Sequence, residues 1–450
     1  MRRLLLLLLF LSTTATAQEP VEGWWEGALV RDASVRLVRF EFFRDGDALK
    51  ARVQNADWLN NERVVAVTQN GATVTFDFDG ATSLMHDVVA GELVGTSGKG
   101  TPPTRVHLKR ALAPVVVPLK WEEVRVGTIA ATLVTPANPG PHPVVVWIHG
   151  RGKSTRAGLR GLARIFAERG VASLIYDKRG AGESGGDHDA ASLHDHAADV
   201  LAMLDHLAAR KDIDRAQIGL RGNSAGGWVA AIVATRTKVP LAFIITTVGP
   251  AESVMDQQIH VATTRMRRSE LRFTAEEIAA AAAHMTLVTR FAYTGHGWDE
   301  LRASVARAKA SRWASFVDLP ENEQYEDILW VRLNQYDPAP DLKKIRTPFL
   351  ALYGGDDYVT PPEENVARME RYLAEAGNKD FKIAVIPGAG HGLSLPDGVR
   401  TLQGDSFYWL WARYSPQALR MQLEWLLARV TVAGSRGDVA PRAGTARRAN

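Results

Sequence analysis

Ser224 is the residue of this sequence whose surroundings most favour nucleophilic chemistry. It lies in the stretch 222–226, which reads G-N-S-A-G, between an apolar strand-like run at 217–220 and an alanine-rich helical pattern at 227–235. A G-x-S-x-G turn between a strand and a helix exposes the serine hydroxyl, and the helix start presents backbone N–H groups to it. Because glycine and serine are also common in ordinary turns, the motif needs partners elsewhere in the chain.

Two later turns offer the partners that a nucleophilic serine needs, a base and an acid that orients the base. Asp357 follows an apolar run and fits a G-x-x-D-x-x-x-P pattern, with its neighbour Asp356 as the rival acid. His391 follows the next apolar run, among small residues that leave its ring free to reach inward. The carboxyl ends of parallel strands meet at one edge of a sheet. The sequence therefore predicts Ser224, His391 and Asp357 as nucleophile, base and orienting acid.

An acyl-transfer site also needs donors for the negative charge that develops on the carbonyl oxygen. One predicted donor is the backbone N–H of Ala225, which directly follows the nucleophile. The second is the N–H of Arg151, in the loop H-G-R-G that follows the buried run V-V-V-W-I. His149 in this loop could be a second base, but we interpret it as a structural residue that hydrogen-bonds within the loop.

The elements that must position these residues alternate between strands and helices. Apolar runs predict strands at 144–148, 172–176, 217–220, 241–248, 348–353 and 381–386, and a β-hairpin at 124–136 precedes them. Periodic patterns predict intervening helices at 192–209, 227–235, 362–376 and 416–430. Such alternation predicts an α/β domain over 119–432, with a mostly parallel sheet covered by helices on both faces.

Two further regions flank or interrupt this pattern. The segment 251–340 is amphipathic and tryptophan-containing, with helices expected at 275–290 and 299–316, and is interpreted as a helical cap over the carboxyl edge of the sheet. The segment 20–112 has short alternating strands separated by Asp-Gly and Asn-Gly turns, which predicts a small antiparallel β domain, either a barrel or a sandwich. A proline-flanked linker joins this β domain to the α/β domain.

Composition and the two ends of the chain indicate where the protein acts. Residues 1–17 combine two arginines, an apolar run and an A-T-A site, which predicts a cleaved signal peptide and a periplasmic or secreted protein. No other segment is apolar enough to predict a membrane span. The chain has no cysteine, so thiol catalysis and disulfides are excluded, and a net charge of +4 without a basic cluster argues against nucleic-acid binding. Residues 433–450 are expected to be disordered.

The remaining histidines and a charged turn are interpreted as structural. His86 and His107 have no spacing that supports a metal site. His188, His194 and His196 are close in sequence, but residues at i and i+2 of a helix do not face each other. The turn D-K-R-G at 177–180 follows a strand and is expected to brace the edge of the sheet. The sequence predicts neither a metal nor an organic cofactor.

From 144 to 430 the chain resembles bacterial α/β-hydrolases of the serine aminopeptidase-like group, also called dipeptidyl aminopeptidase or acylaminoacyl peptidase-like. The motifs are V-V-V-W-I-H-G, Y-D-K-R-G-A-G-E-S-G-G, H-A-A-D-V, I-G-L-R-G-N-S-A-G-G, Y-G-G-D-D-Y-V-T-P and P-G-A-G-H-G. The resemblance implies an α/β-hydrolase fold, and Ser224, Asp357 and His391 occur in the order of that superfamily. Relatives often read H-S-E-G-G at the serine, whereas this chain has Asn223 and Ala225.

These residues predict a serine hydrolase that cleaves carboxylic esters through an acyl-enzyme, acting on a small ester or a short peptide. The alternative is a serine aminopeptidase or acyl-peptide hydrolase, for which Glu252, Asp256 and Asp299 are the nearest carboxylates that could bind a free amine. A thioesterase and a non-catalytic binding protein are less favoured. Epoxide hydrolases and dehalogenases are set aside because they carry a carboxylate, not a serine, at the position of Ser224 in this strand-turn-helix. The oligomeric state stays open.

Overall fold

The structure is a computed structural model that describes residues 20–31, 34–55, 63–77, 83–89, 91–97, 105–113, 117–395 and 414–432. The predicted signal peptide at 1–17 and the predicted tail at 433–450 lie outside these ranges. The chain divides into two compact units, Met1–Pro114 and Val115–Asn450.

The first unit is a closed antiparallel barrel of eight consecutively paired strands, in which the first strand also pairs with the last. Its strands are β1 (Gly23–Arg31), β2 (Ser34–Asp45), β3 (Ala48–Asn55), β4 (Arg63–Asn70), β5 (Thr73–Asp77), β6 (Ser83–Val89), β7 (Glu92–Ser97) and β8 (Arg105–Ala111). Alternate residues point inward, so Trp25, Phe40, Phe42 and Phe76 fill the interior. Of the two predicted arrangements, the structure shows the barrel.

The second unit contains one eight-stranded sheet in the order β16-β15-β14-β13-β11-β12-β10-β9. Its strands are β9 (Leu119–Val126), β10 (Ile129–Pro136), β11 (His142–Ile148), β12 (Ala172–Tyr176), β13 (Ile213–Asn223), β14 (Phe243–Thr247), β15 (Phe349–Gly354) and β16 (Phe381–Ile386). The six strands from β11 to β16 run parallel, and the hairpin β9–β10 is antiparallel at one edge. The predicted mostly parallel sheet is therefore confirmed.

Helices cover both faces of this sheet. They are α1 (Arg160–Glu168), α2 (Leu193–Ala208), α3 (Gly226–Arg236), α4 (Val254–Arg267), α5 (Ala275–Thr294), α6 (Trp298–Lys309), α7 (Glu326–Leu333), α8 (Ala339–Leu342), α9 (Pro362–Glu375) and α10 (Pro416–Leu427). In β11, Val145 and Trp147 pack with α1 and α10, whereas Val144, Val146 and Ile148 pack with α2 and α3 on the opposite face. This alternation explains the continuous apolar run, because a strand covered on both faces needs apolar side chains at every position.

The predicted cap corresponds to the helices α4 to α7, which connect β14 to β15. The single helix expected at 299–316 is wrong in its length. Helix α6 ends at Lys309, and a separate short 3-10 turn follows at Ala314–Phe316. The side chain of Ser311 turns back to donate to the Ala308 carbonyl oxygen, 2.7 Å away, at this break. No helix in the described ranges combines the length and apolarity needed to cross a membrane.

Candidate active site

The turn that carries Ser224 links β13 to α3 and is tightly packed. Ser224 has φ +52°, a left-handed conformation that is uncommon for residues other than glycine. A Cβ on Gly222 would lie 2.3 Å from the carbonyl oxygen of Gly226, and a Cβ on Gly226 would lie 2.6 Å from that of His149. Only glycine fits at both positions, so the two glycines of G-x-S-x-G let the strand, the new helix and the 149–152 loop approach one another.

Ser224, His391 and Asp357 form one hydrogen-bonded line. The Ser224 Oγ lies 3.0 Å from His391 Nε2, and His391 Nδ1 lies 2.9 Å from Asp357 Oδ2. In a neutral imidazole, Nδ1–H donates to the carboxylate, which leaves Nε2 to accept the hydroxyl proton of the serine. The structure thus brings together the three residues that the sequence singles out, with the orientation that proton transfer requires.

The Asp357 side chain is buried and hydrogen-bonded, whereas Asp356 is exposed. The Asp357 carboxylate is fully buried, and its Oδ1 accepts hydrogen bonds from the N–H groups of Val359 at 2.8 Å and Thr360 at 3.1 Å. Asp356 is exposed, and its own N–H donates to the Ala389 carbonyl oxygen in the loop that carries His391. The acid loop and the histidine loop are therefore tied together, and of the two carboxylates Asp357 faces the imidazole.

The two predicted oxyanion donors flank the serine. Ala225 is buried and directly precedes helix α3. On the other side, a Cβ on Gly150 would lie 3.4 Å from the Ser224 Cβ, so the 149–152 loop runs past the nucleophile. Within the described residues, the backbone N–H groups of Ala225 and Arg151 donate to no protein acceptor. Both donors are thus available to a substrate oxygen.

His149 has the geometry of a structural histidine. Its Nε2–H donates to the Tyr176 carbonyl oxygen at 2.6 Å, and its ring meets the Tyr176 ring edge to face at 5.0 Å. Burial lowers the pKa of His149 to about 4, so the ring is neutral at physiological pH. This hydrogen bond anchors the start of the 149–152 loop to the end of β12.

Because His149 is buried in its neutral form, the free energy of unfolding is expected to fall as pH is lowered. Between its unfolded pKa near 6.5 and its folded pKa of about 4, the unfolded chain binds a proton that the folded chain rejects. The free energy of unfolding therefore keeps the His149 contribution above pH 6.5 and loses it as pH drops. At pH 5 this loss is about 2 kcal/mol. Urea unfolding at pH 7 and at pH 5 measures the loss of the free energy of unfolding between the two pH values. This loss should be about 2 kcal/mol smaller in His149→Gln than in wild type. Equal pH dependence in the two proteins would contradict the assignment.

A cavity of about 560 Å³ opens beside the serine, with Gly150, Arg151 and Ala225 in its wall. Leu193, Val229, Leu329 and Trp330 give it an apolar side, and Lys178, His188, His196 and Asn334 give it a polar side. This volume suits a small organic group. The cavity therefore reaches the two residues predicted to supply the oxyanion donors, Ala225 and Arg151, whereas Ser224 and His391 are not among its lining residues.

The Arg151 side chain joins the 149–152 loop to the cap, a contact that the sequence did not predict. Its guanidinium lies 2.5 Å from Asp327 Oδ1 and stacks over the Trp330 ring, 4.3 Å from the ring centroid. Both partners are in α7, which places this helix over the cavity. Pairing across some 176 positions of sequence gives no local signal, so only the folded structure reveals it.

The carboxylates suggested for amine binding are engaged elsewhere. Glu252 is buried, and its carboxylate pairs with His260 and accepts a hydrogen bond from the Asn365 amide at 2.9 Å. Asp256 accepts from the Ser253 hydroxyl at the start of α4, and Asp299 is an exposed partner of Arg302. The structure brings none of the three into the wall of the cavity.

The neighbouring histidines do not converge on one point. His188 and His196 lie side by side, 5.8 Å between ring centroids, whereas His194 faces Arg236 at 3.1 Å. Burial is the main cause that lowers the pKa of His196, to about 3. In the part of the chain that the structure describes, no group of three or more His, Asp or Glu side chains has the arrangement of a metal site.

Comparison with known proteins finds one matching family model and several similar proteins. The family model described as serine aminopeptidase, S33, matches residues 139–314. An uncharacterized 31.7 kDa protein of Escherichia coli is 25% identical over 241 residues, covering 53% of this chain and 81% of the relative. Esterase EstD of Thermotoga maritima is 23% identical over 339 residues, covering 73% of each chain.

Solved structures include similar folds. The α/β-hydrolase GrgF from Penicillium has a TM-score of 0.42 and 16% identity, over 69% of this chain and 99% of that one. The doubly covered parallel sheet, the strand-turn-helix at Ser224 and the matched family model agree with one another. The second unit therefore has the α/β-hydrolase fold, and the family model together with the esterase relative supports a hydrolase.

Proposed function

We propose that this protein is an exported serine hydrolase that cleaves carboxylic esters. The observation that carries the proposal is the line from Asp357 through His391 to Ser224, with 2.9 and 3.0 Å between successive side chains. Ser224 precedes α3, and within the described residues the backbone N–H groups of Ala225 and Arg151 donate to no protein acceptor. The esterase relative, which covers 73% of this chain, supports the same reaction class.

The proposed reaction proceeds in two halves. His391 takes the proton of the Ser224 hydroxyl while Ser224 Oγ attacks the ester carbonyl carbon. The N–H groups of Ala225 and Arg151 hold the oxyanion that forms. His391 then gives the proton to the departing alcohol, which leaves an acyl-enzyme on Ser224. Water, deprotonated by His391, then attacks the acyl carbon, and His391 returns this proton to the Ser224 oxygen as the acid departs. Asp357 fixes the tautomer of the imidazole throughout.

The cavity favours an ester with a small to medium apolar acyl or aryl group. Its apolar wall, formed by Leu193, Val229, Leu329 and Trp330, supplies the area that would bury such a group. The three carboxylates nominated from the sequence for amine binding have other partners, and none of them lies in the cavity wall. These three groups therefore give no support to a substrate that depends on a free amine, so we place ester hydrolysis first.

Aminopeptidase or acyl-peptide hydrolase activity is the second candidate. It is favoured by the family model described as serine aminopeptidase, S33, which matches residues 139–314 and includes Ser224. An amide differs from an ester mainly in its poorer leaving group, so the same residues can serve both reactions.

Export is proposed from the sequence alone. The arginines, apolar run and A-T-A site of residues 1–17 support a cleaved signal peptide, and the absence of cysteine from the chain is compatible with an oxidising compartment. Cell fractionation with N-terminal sequencing of the mature protein tests it. A mature chain that begins at Gln18 would support export, and a chain that retains residues 1–17 in the cytoplasm would refute it.

Purified protein assayed against p-nitrophenyl esters of increasing acyl length and against aminoacyl p-nitroanilides distinguishes the two activities. We expect ester turnover with an optimum at short or medium acyl chains, because the cavity holds about 560 Å³, and little cleavage of anilides. Anilide cleavage that exceeds ester cleavage and requires a free amino group would favour the aminopeptidase instead. A chain inactive on both series would contradict the proposed function.

A further inference from the structure

The turn at 177–180 carries a buried lysine whose contacts point to a role in the oxyanion site. Lys178 follows β12 and is 3% exposed. Its Nζ donates to the carbonyl oxygen of Gly150 at 2.8 Å and to that of Arg151 at 3.0 Å. Both acceptors belong to the 149–152 loop, which also supplies the proposed second oxyanion donor.

The order of the strands sets the direction of these contacts. Strand β11, which leads into the 149–152 loop, lies between β13, which leads to Ser224, and β12, which leads to Lys178. The peptide between Gly150 and Arg151 is trans, so its C=O and N–H groups point in opposite directions. A carbonyl oxygen drawn toward Lys178 on the β12 side therefore directs the N–H of Arg151 toward the β13 side, where Ser224 lies.

We propose that Lys178 is a positioning residue for the oxyanion site, holding the Gly150 and Arg151 carbonyl oxygens so that the Arg151 N–H faces the carbonyl oxygen of the substrate. A loop held this way needs no rearrangement when charge develops in the transition state. The ammonium also contributes a fixed positive charge behind the donor.

The environment of Lys178 supports this role rather than that of an ordinary ion-pair partner. The carboxylate of its neighbour Asp177 is occupied by the N–H groups of Arg156 at 2.8 Å and Glu183 at 2.9 Å. Among the described residues, Lys178 forms no ion pair with a carboxylate, and burial lowers its pKa to about 8. Burying a lysine is unfavourable, and within the described residues its ammonium is hydrogen-bonded to two carbonyl oxygens of the oxyanion loop.

The test compares Lys178→Met with wild type. Methionine keeps an unbranched side chain but cannot donate to either carbonyl oxygen. Losing one oxyanion donor lowers kcat by about 10²- to 10³-fold in other serine hydrolases, so a donor that is only misdirected should cost roughly 10- to 100-fold. We expect KM to change less than about threefold, because the oxyanion forms only in the transition state. Inhibition by an alkyl boronic acid, which forms a tetrahedral adduct on the serine, should weaken by a similar factor.

Ile175→Val is the matched control for general loosening of β12. Ile175 is fully buried in the same strand, three residues before Lys178, and is not among the residues that line the cavity. It should lower the melting temperature yet leave kcat and boronate affinity near wild type. If Lys178→Met and Ile175→Val change kinetics alike, or if Lys178→Met keeps wild-type kcat, Lys178 has no positioning role.

A chemical rescue keeps the test decisive if Lys178→Met folds poorly. The chain contains no cysteine, so Lys178→Cys introduces a single thiol. Alkylating the unfolded variant with 2-bromoethylamine restores an ammonium at nearly the lysine length, whereas iodoacetamide adds a neutral amide. After refolding, the aminoethylated protein should recover kcat and boronate affinity, and the amide-bearing protein should recover less. Equal recovery with both reagents would overturn the proposal.

Because the role of Lys178 presupposes the proposed ester hydrolysis, Ser224→Ala is assayed beside these variants. Ester turnover in Ser224→Ala above about a tenth of the wild-type kcat would refute the proposed function itself. Turnover that is lost in Ser224→Ala but unchanged in Lys178→Met would refute only the role of Lys178. The two failures are therefore distinguishable in one set of assays.

Discussion

Ser224→Ala should lower kcat for ester hydrolysis by about 10⁴- to 10⁶-fold, the largest effect of any single substitution considered. Without the hydroxyl, no acyl-enzyme can form, and His391 has no proton to accept at 3.0 Å. Residual turnover would come from the oxyanion donors and substrate binding, which still favour attack by water. Steady-state kinetics on the best p-nitrophenyl ester measures the loss.

Two controls separate lost chemistry from lost structure in this variant. Alanine occupies less volume than serine and keeps the backbone N–H that donates to the Thr247 carbonyl oxygen at 2.9 Å, so the melting temperature should shift by only a few degrees. Ser311→Ala removes a hydroxyl of the cap, bonded to the Ala308 carbonyl oxygen, and should retain wild-type turnover. A Ser224→Ala protein with more than about a tenth of wild-type kcat would show that another group is the nucleophile.

Asp357→Asn should lower kcat by about 10⁴-fold while the protein stays folded. The asparagine Oδ1 can still accept from the N–H groups of Val359 and Thr360, so its amide nitrogen is left facing His391 Nδ1. An amide N–H there requires Nδ1 to be the acceptor and puts the ring proton on Nε2. In that tautomer, His391 can no longer accept the proton of the serine.

Asp356→Asn is the matched control, because it makes the same chemical change one position earlier. Asp356 is exposed, and only its backbone N–H has a contact with the histidine loop, so kcat should stay within about twofold of wild type. Circular dichroism and urea unfolding on both variants confirm that they fold. A large loss in Asp356→Asn together with near-normal kcat in Asp357→Asn would make Asp356 the orienting acid.

Much of the α/β domain could be predicted because its signals are local. Each buried strand is a short apolar run, and helix α2 is capped by the preceding Ser192, whose hydroxyl accepts from the Asp195 N–H in a capping box. The candidate triad could be found because each member sits in a short motif directly after a strand. Parallel strands then bring those motifs to one edge of the sheet.

What could not be predicted depends on contacts between distant parts of the chain. Alternating residues in 20–112 fit a barrel and a sandwich equally well, since only the pairing of β1 with β8 closes the barrel. The pairing of Arg151 with Asp327 and the direction of the Lys178 ammonium have no local signature either. The engagement of Glu252 likewise depends on a distant residue, Asn365 of α9, which is 113 positions away, so the sequence alone left this carboxylate as a candidate amine ligand.

Peptide mapping after reaction with a fluorophosphonate tests most directly whether Ser224 is the nucleophile. The reagent phosphonylates an activated serine, so intact-mass analysis should show one adduct per chain, and tandem mass spectrometry should place it on Ser224. Labelling should abolish ester turnover in proportion, and Ser224→Ala should take up no label. An adduct on a different residue, or an active enzyme that takes up no label, would contradict the proposed mechanism.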